Sequence, residues 1–378
     1  MPDLLPGSLP ALLRLLNAGG PVAPRRALLD THLSPERALA AGAPAWRTAG
    51  LNDLQMRSLA QPDPGQMQCT FDWLARPGHH VVGWHDPDYP ALLRQIPSPP
   101  LALFVDGDPS LLWHPGVAVV GSRSPTAGGR DSAGRFARAF VQSGLSVISG
   151  LAAGIDGAAH RAVLACGGIT VAVLGTGPDV GYPRDHEDLR QQIAGTGAVV
   201  SEHAPGTPAR PGHFPSRNRI IAGLALGTLV VEAAVRSGAL ITARLAAESG
   251  REVFALPGSI YNPMARGCHR LIREGVALVE TPEEVVATLT PIASELATAL
   301  RGRLAESGSS PHIVHAAAHA VLDPVYKQLW LALGHDPTGM DLLAERTGLT
   351  TAELSSMLLA MELDGRVAVE HGRYSRKS

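Results

Sequence analysis

Between residues 116 and 290, short apolar runs alternate with stretches whose apolar positions recur at helical spacing. The runs at 117–120, 145–148, 170–174, 198–200, 228–231, 252–256 and 276–279 predict strands. The segments near 128–143, 154–166, 185–194, 216–224, 237–249 and 268–274 predict helices. Strands that are apolar throughout, rather than alternating, belong to a parallel sheet covered on both faces. The region reads as α/β, a Rossmann-like doubly wound parallel sheet.

The flanks differ. Residues 1–75 read as short helices between Gly/Pro turns. Leu12, Leu13, Leu15 and Leu16 form one apolar face, and Asn17-Ala18-Gly19-Gly20 ends it. Residues 76–115 are dense in proline and read as a connecting segment with extended pieces at 81–84 and 101–105, packed on the next domain. Residues 291–320 show little periodicity and read as a linker. Residues 321–378 predict a helix over 323–333, a second from Thr338-x-x-Asp341, a third from the capping box Thr350-x-x-Glu353, and a hairpin around His371-Gly372. Three helices and a hairpin form the winged-helix order.

Composition narrows the chemistry. The chain has 378 residues, 45% apolar and 17% charged, which suffices for a sizeable core and excludes global disorder. No run approaches the roughly 20 apolar residues of a membrane helix, and no basic stretch leads an apolar one at the N-terminus. A soluble cytoplasmic protein is expected, with no membrane partner. The cysteines Cys69, Cys166 and Cys268 lie far apart with no CxxC, against a disulfide framework or a zinc finger. Lysine occurs only at Lys327 and Lys377, so GxxxxGK[ST] is excluded from residues 1–326. The net charge is −2, so any polyanion must meet positive charge concentrated in one place.

Ligands of open parallel sheets bind beyond the carboxyl ends of the strands. Here those ends read Gly121-Ser122-Arg123, Ser149-Gly150-Leu151-Ala152-Ala153-Gly154-Ile155-Asp156 and Leu174-Gly175-Thr176-Gly177. Such turns admit close backbone approach and offer N–H groups to an anion, although tight strand–helix turns favour glycine too. None has the GxGxxG spacing, so dinucleotide binding is not supported and no cofactor is expected.

The stretch Gly212-His213-Phe214-Pro215-Ser216-Arg217-Asn218-Arg219 carries the sharper signal. With Ser216 as N-cap, Arg217, Asn218 and Arg219 fall in the first helical turn, where the dipole disfavours cations. A negative ligand would compensate, and phosphate fits. Salt bridges to nearby carboxylates are the alternative. Phe214 is a base-stacking candidate or a core aromatic. Asp156, Glu202 and Glu232 stand at strand ends, where they either catalyse, as in nucleotide hydrolases, or cap helices and hold arginines. No Ser/His/Asp triad or metal-spaced cluster accompanies them.

In order and spacing over about 170 residues, the chain resembles the DNA-processing family DprA (Smf). The shared motifs are Val-Val-Gly-Ser-Arg at 119–123, Ser-Gly-Leu-Ala-x-Gly-Ile-Asp at 149–156, and Leu-Gly-x-Gly with Tyr-Pro within 174–183. They continue with Ser-Glu at 201–202, Phe-Pro-x-Arg-Asn-Arg-Ile-Ile-Ala-Gly at 214–223, Val-Val-Glu-Ala at 230–233 and Ser-Gly-Ala-Leu-Ile-Thr-Ala at 237–243. Gly-Arg-x-Val-Phe-Ala-x-Pro-Gly at 250–258 and Gly-Cys-x-x-Leu-Ile at 267–272 complete the set. The resemblance implies a non-enzymatic single-stranded DNA binder that protects incoming strands in natural transformation and helps load the RecA recombinase. It also implies a homodimer formed through the Rossmann-like domain, preceded by a sterile-alpha-motif (SAM)-like domain and followed by a winged helix. The family's pocket maps onto Gly121, Ser122, Arg123, Gly154, Arg184, Arg210, Phe214, Arg217, Asn218 and Arg219. Arg184 and Arg210 stand where relatives often carry lysine, which keeps the charge and changes the fork geometry.

The rival reading is a phosphoribohydrolase on a similar sheet. Such enzymes resemble one another in a Pro-Gly-Gly-x-Gly-Thr turn before a catalytic glutamate, and this chain instead reads Glu232-Ala-Ala-Val-Arg-Ser-Gly. A third reading is an interaction scaffold with a vestigial pocket. On the leading reading, Arg123, Arg217 and Arg219 converge on one groove that prefers single strands to duplex. The third helix of the end module, with two glutamates and no arginine or lysine, does not read duplex sequence.

Overall fold

The computed structural model describes residues 8–307 and, beyond them, residues 329–330, 332–333, 338–350, 354, 357–358, 361, 367–370 and 373–376. The chain divides into two compact units, 1–298 and 299–378.

The first unit opens with helices α1 (Ser8–Asn17), α2 (Val22–His32), α3 (Pro35–Ala40), α4 (Gly42–Thr48), α5 (Asp53–Ala60) and α6 (Pro64–Leu74). Local signals start them: Ser34 caps α3, Asn52 and Gln55 close a capping box on α5, and Asp63 caps α6. Leu15, Leu28, Leu29, Ala38, Trp46 and Leu59 form their shared core.

There follow β1 (His79–Gly83), α7 (Ala91–Arg94), β2 (Ala102–Gly107), β3 (Gly116–Val120), α8 (Ala127–Gln142), β4 (Ser146–Ser149), α9 (Ile155–Ala165) and β5 (Thr170–Val173). The unit continues with α10 (Glu187–Thr196), β6 (Ala198–Ser201), α11 (His213–Leu224), β7 (Gly227–Val230), α12 (Gly238–Glu248), β8 (Glu252–Ala255), α13 (Arg266–Arg273), β9 (Ala277–Leu278) and α14 (Pro282–Ser307).

The strands form one nine-stranded sheet, ordered β1-β2-β6-β5-β4-β3-β7-β8-β9. From β6 to β9 all neighbours pair in parallel, as the unbroken apolar runs predict. Alternate residues of β3 serve opposite faces. Ala118 and Val120 pack under α11, α12 and α13, whereas Val117 and Val119 pack under α8, α9 and α14.

Residues 76–115 are not merely a connecting segment. β1 pairs antiparallel with β2, and β2 pairs antiparallel with β6, with Phe104 opposite Ser201, so this stretch extends the sheet. It also seats the N-terminal helices: Phe104 packs with Leu13 and Trp73, and Trp84 carries the guanidinium groups of Arg26 and Arg94 on its ring at 5.5 and 4.8 Å. The linker read at 291–320 also needs correction, since α14 runs through Pro291 to Ser307. Residues 308–320 lie outside the described residues.

In the second unit, β10 (Thr338–Gly339), α15 (Met340–Thr347), β11 (Val367–Glu370) and β12 (Arg373–Arg376) are described. Thr338 does not open the helix as expected; it pairs with Tyr374 in a three-stranded sheet. The β11–β12 hairpin lies where the sequence puts it. Leu354, Met357, Leu358 and Met361 are helical and buried with Leu329, Leu333 and Leu343, so the apolar face of the third helix serves the core. Its other residues, and the first helix before 329, lie outside the described residues. No helix among the described residues is long and apolar enough to cross a membrane.

Candidate nucleic-acid interface

The chain leaves β6 at one side of the parallel strands, crosses over α11, and re-enters beyond β3 as β7. The order of the parallel strands therefore reverses between β3 and β7, and the crevice beyond their carboxyl ends is where such sheets bind ligands. A cavity of about 570 Å³ opens there, lined by Gly121, Arg123, Tyr182, Phe214, Arg217 and Asn218. Ser237 and Gly238, at the start of α12, close another wall, so the positive end of that helix faces the same space.

The loop after β3 aims Arg123. Ser122 is buried, accepts from the Ser124 N–H at 3.1 Å, and offers its carbonyl to the Ile155 N–H at 3.1 Å. Gly154 has φ of +85°, and a Cβ there would strike the Ser122 carbonyl oxygen. Gly121 likewise lies against Ile155 and the Glu232 carbonyl. These residues lock two loops together, and Arg123 leaves the junction exposed, with no hydrogen bond or ion pair among the described residues. Its guanidinium lies 5.8 Å from the centre of the Phe214 ring. Phe214 in turn lies 4.9 Å from Tyr182, the planes tilted by 38°. Tyr182 is 44% exposed. A free guanidinium beside two half-open rings can hold a phosphate while a base stacks.

Arg217 enters the same cavity from α11 but is already engaged. It is 4% exposed, and its Nη1 donates to the Gly150 carbonyl at 2.6 Å and also to the Val173 carbonyl. Gly150 is required here, because a Cβ would sit on the guanidinium. Burial pulls the Arg217 pKa down to about 10, against the pull of Asp156. Asp156 is buried too and accepts from the Gly150 and Ala152 N–H groups at 3.0 and 3.3 Å. Burial raises its pKa, and the Arg217 charge opposes the rise. Both side chains shape the β4–α9 loop. Asn218 donates to the Gly238 carbonyl at 3.4 Å and ties α11 to α12.

Arg219 does not converge with the other two arginines. It pairs with Glu202 at 2.5 Å, both side chains largely buried, which is the salt-bridge alternative. The expected helix start also shifts. α11 begins at His213 with Gly212 before it, and the Ser216 hydroxyl donates back to the His213 carbonyl instead of capping. Arg217 and Arg219 thus lie in the second turn, where the argument from an opposed dipole loses its force.

Arg184 is exposed on a short turn two residues past Tyr182 and has no partner among the described residues. Arg210 is also exposed but lines a different cavity, with His203 and His213. Glu232 accepts from the Thr126 N–H and hydroxyl at 2.9 and 2.6 Å and from Asn262 at 3.2 Å. It fastens the start of α8. Tyr182 was not among the expected site residues. Its signal was an aromatic before proline in a loop on the carboxyl edge.

The family model for DNA recombination-mediator protein A matches residues 80–290, and that for the DprA winged helix domain matches residues 314–373. Protein Smf of Escherichia coli is 41% identical over 317 residues, covering 82% of this chain and 80% of that protein. DNA processing protein DprA of Streptococcus pneumoniae is 48% identical over 202 residues, 53% of this chain and 71% of that protein. The X-ray structure of the Streptococcus pneumoniae protein aligns with a TM-score of 0.66 at 37% identity, covering 73% of this chain and 96% of that one. A Helicobacter pylori DNA processing protein A, described for its single-stranded DNA binding mode, aligns with a TM-score of 0.51 at 26% identity, covering 56% and 96%.

Proposed function

This chain belongs to the DNA recombination-mediator protein A (DprA/Smf) family, and from that premise we propose that it binds single-stranded DNA at the carboxyl edge of its sheet. The observation that carries the reading is the unpaired Arg123 guanidinium beside the Tyr182–Phe214 ring pair, over a cavity closed by the positive end of α12. Arg123 meets phosphate, the rings take a base, and Arg184 adds charge at the rim. Gly121, Ser122, Gly154, Asn218 and Arg217 hold the loops and helix that place them. Nothing in this set matches the edge of a particular base, so the pocket takes single strands with little sequence preference. Anisotropy of a labelled oligonucleotide tests this: the single strand binds more tightly than its duplex of equal length, and equal affinity for both contradicts it.

The same proposal extends to protection of single strands and to loading of the RecA recombinase onto them in the cytoplasm, by a homodimer. The β9 edge supports self-association, since Leu278 is 48% exposed on a strand with one free side. Light scattering tests it: the wild type weighs as a dimer and Leu278→Glu as a monomer, and a monomeric wild type contradicts it. For RecA, the measurement is the rate of filament growth on strands precoated with single-strand-binding protein; no acceleration refutes the loading role.

The hydrolase reading loses ground at Glu232. Its carboxylate is committed to Thr126 and Asn262, as a helix-fastening group would be.

A further inference from the structure

A second cavity lies on the other side of the start of α11. It has a volume of about 930 Å³, and its walls come from both the N-terminal helices and the segment after β6. The two cavities meet across one short stretch: Arg210 and His213 line this one, and Pro211, Phe214 and Pro215 line the one over Arg123.

Several polar groups of this cavity have no side-chain partner among the described residues. Arg210 and Arg76 are exposed, and neither makes a side-chain hydrogen bond or ion pair among the described residues. The indole N–H of Trp73, a residue only 3% exposed, has no acceptor, and Nε2 of His203 has no partner. His203 is stacked on His213 at 3.9 Å. Burial holds the His203 pKa below its ordinary value, so the ring is neutral at neutral pH. Of the carboxylates in the wall, Glu202 alone is paired with a cation, and the other two accept hydrogen bonds from neutral groups. Glu202 is paired with Arg219, Asp179 accepts from the Gly206 N–H at 2.8 Å, and Asp72 accepts from Gln68 at 2.7 Å. The guanidinium of Arg25 is spent on the Leu15, Leu16 and Gly20 carbonyls.

We propose that this cavity is a second subsite for the same single strand, which crosses the start of α11 and sets at least one further nucleotide against the N-terminal helices. Arg76 and Arg210 take phosphate, and the unpaired indole N–H and the imidazole pair suit a base. The N-terminal module then has a direct share in binding, supplied by the turn between α6 and β1. The inference rests on the single-stranded DNA reading and deepens it.

The test uses the full chain with Arg76→Ala and Arg76→Glu. The Arg76 backbone keeps its bonds to Trp73 and His79 whatever the side chain, and the side chain is solvent-exposed, so both variants fold. Affinity is measured for short (about 4–6) and long (about 12–16) oligonucleotides, lengths spanning the usual sites. The short strands bind both variants as they bind the wild type. The long strands bind Arg76→Ala roughly tenfold more weakly, the loss of one charge-assisted hydrogen bond, and the salt slope becomes less negative by about 0.7. Unchanged binding of the long strands by Arg76→Glu overturns the proposal, as does an equal loss at both lengths, which signals a general charge effect. Failure of the underlying reading looks different: the wild type binds neither length.

Discussion

Arg217→Ala separates structural arginine from binding arginine. The side chain donates to two carbonyls, of Gly150 and Val173, at the carboxyl ends of neighbouring strands. Removing it leaves both acceptors unpaired, at about 1–3 kcal/mol each when no substitute is found. The adjoining cavity admits water, which re-pairs at least one of them and brings the total to about 2–3 kcal/mol. The apparent unfolding midpoint then falls by roughly 4–12 °C, taking about 2–4 °C per kcal/mol for a domain of this size. The loss also has a pH signature. Burial raises the Asp156 pKa and Arg217 restrains it, so the variant lets it rise further. An acid whose folded pKa lies above its unfolded one is protonated in the native state first, and stability falls as pH rises through that interval. The deficit of Arg217→Ala is therefore larger at pH 8 than at pH 5. Thermal and urea unfolding at both pH values provide the assay. A variant as stable as the wild type but unable to bind DNA refutes the assignment and makes Arg217 a ligand.

Glu232→Ala frees Thr126 and Asn262 at the start of α8 and destabilises by about 2 kcal/mol, the loss of a strong cap, while single-strand affinity stays within a factor of about two, inside the ordinary scatter of surface effects; nucleotide turnover that vanishes in Glu232→Gln contradicts this role. His160, fully buried between α9 and β5 with Nδ1 2.7 Å from the Thr170 hydroxyl, has its pKa pulled by burial from 6.5 to about 3. The folded state thus binds fewer protons than the unfolded one, so the stability present above pH 6.5 is lost as pH falls toward 3; His160→Gln flattens that slope between pH 7 and 5 in urea unfolding, and an unchanged slope refutes it.

The parallel core was legible because strands buried on both faces are apolar without interruption, and each short run between 117 and 279 became a strand. The edge strands β1 and β2 were harder to place. The extended pieces at 81–84 and 101–105 were visible among six prolines, but nothing local states that they join the sheet or that Phe104 will face Ser201. At the site, the arginine-rich turn was visible but the direction of its side chains was not. Residues two apart on a helix lie about 200° apart around it, so Arg217 and Arg219 cannot share a groove. One turns into the sheet and the other to Glu202. Arg123 was legible because a glycine-rich strand end projects whatever follows it. Tyr182 was not, because its contact with Phe214 joins loops far apart in sequence. In the second unit, the hairpin arginine Arg376 donates to the Trp330 carbonyl and lies 4.8 Å over that ring, a contact between positions far apart in sequence that no local pattern announces.

The central claim is that Arg123, and not the buried arginines, meets the phosphate of a single strand. The direct measurement is the salt dependence of single-strand affinity for the wild type and Arg123→Ala, with a thermal melt of each. The account predicts an unchanged melting temperature, an affinity lower by about 10–100-fold as for a lost charged hydrogen bond, and a slope of log affinity against log salt less negative by about 0.7. An Arg123→Ala protein that melts like the wild type and keeps both its affinity and its slope contradicts it.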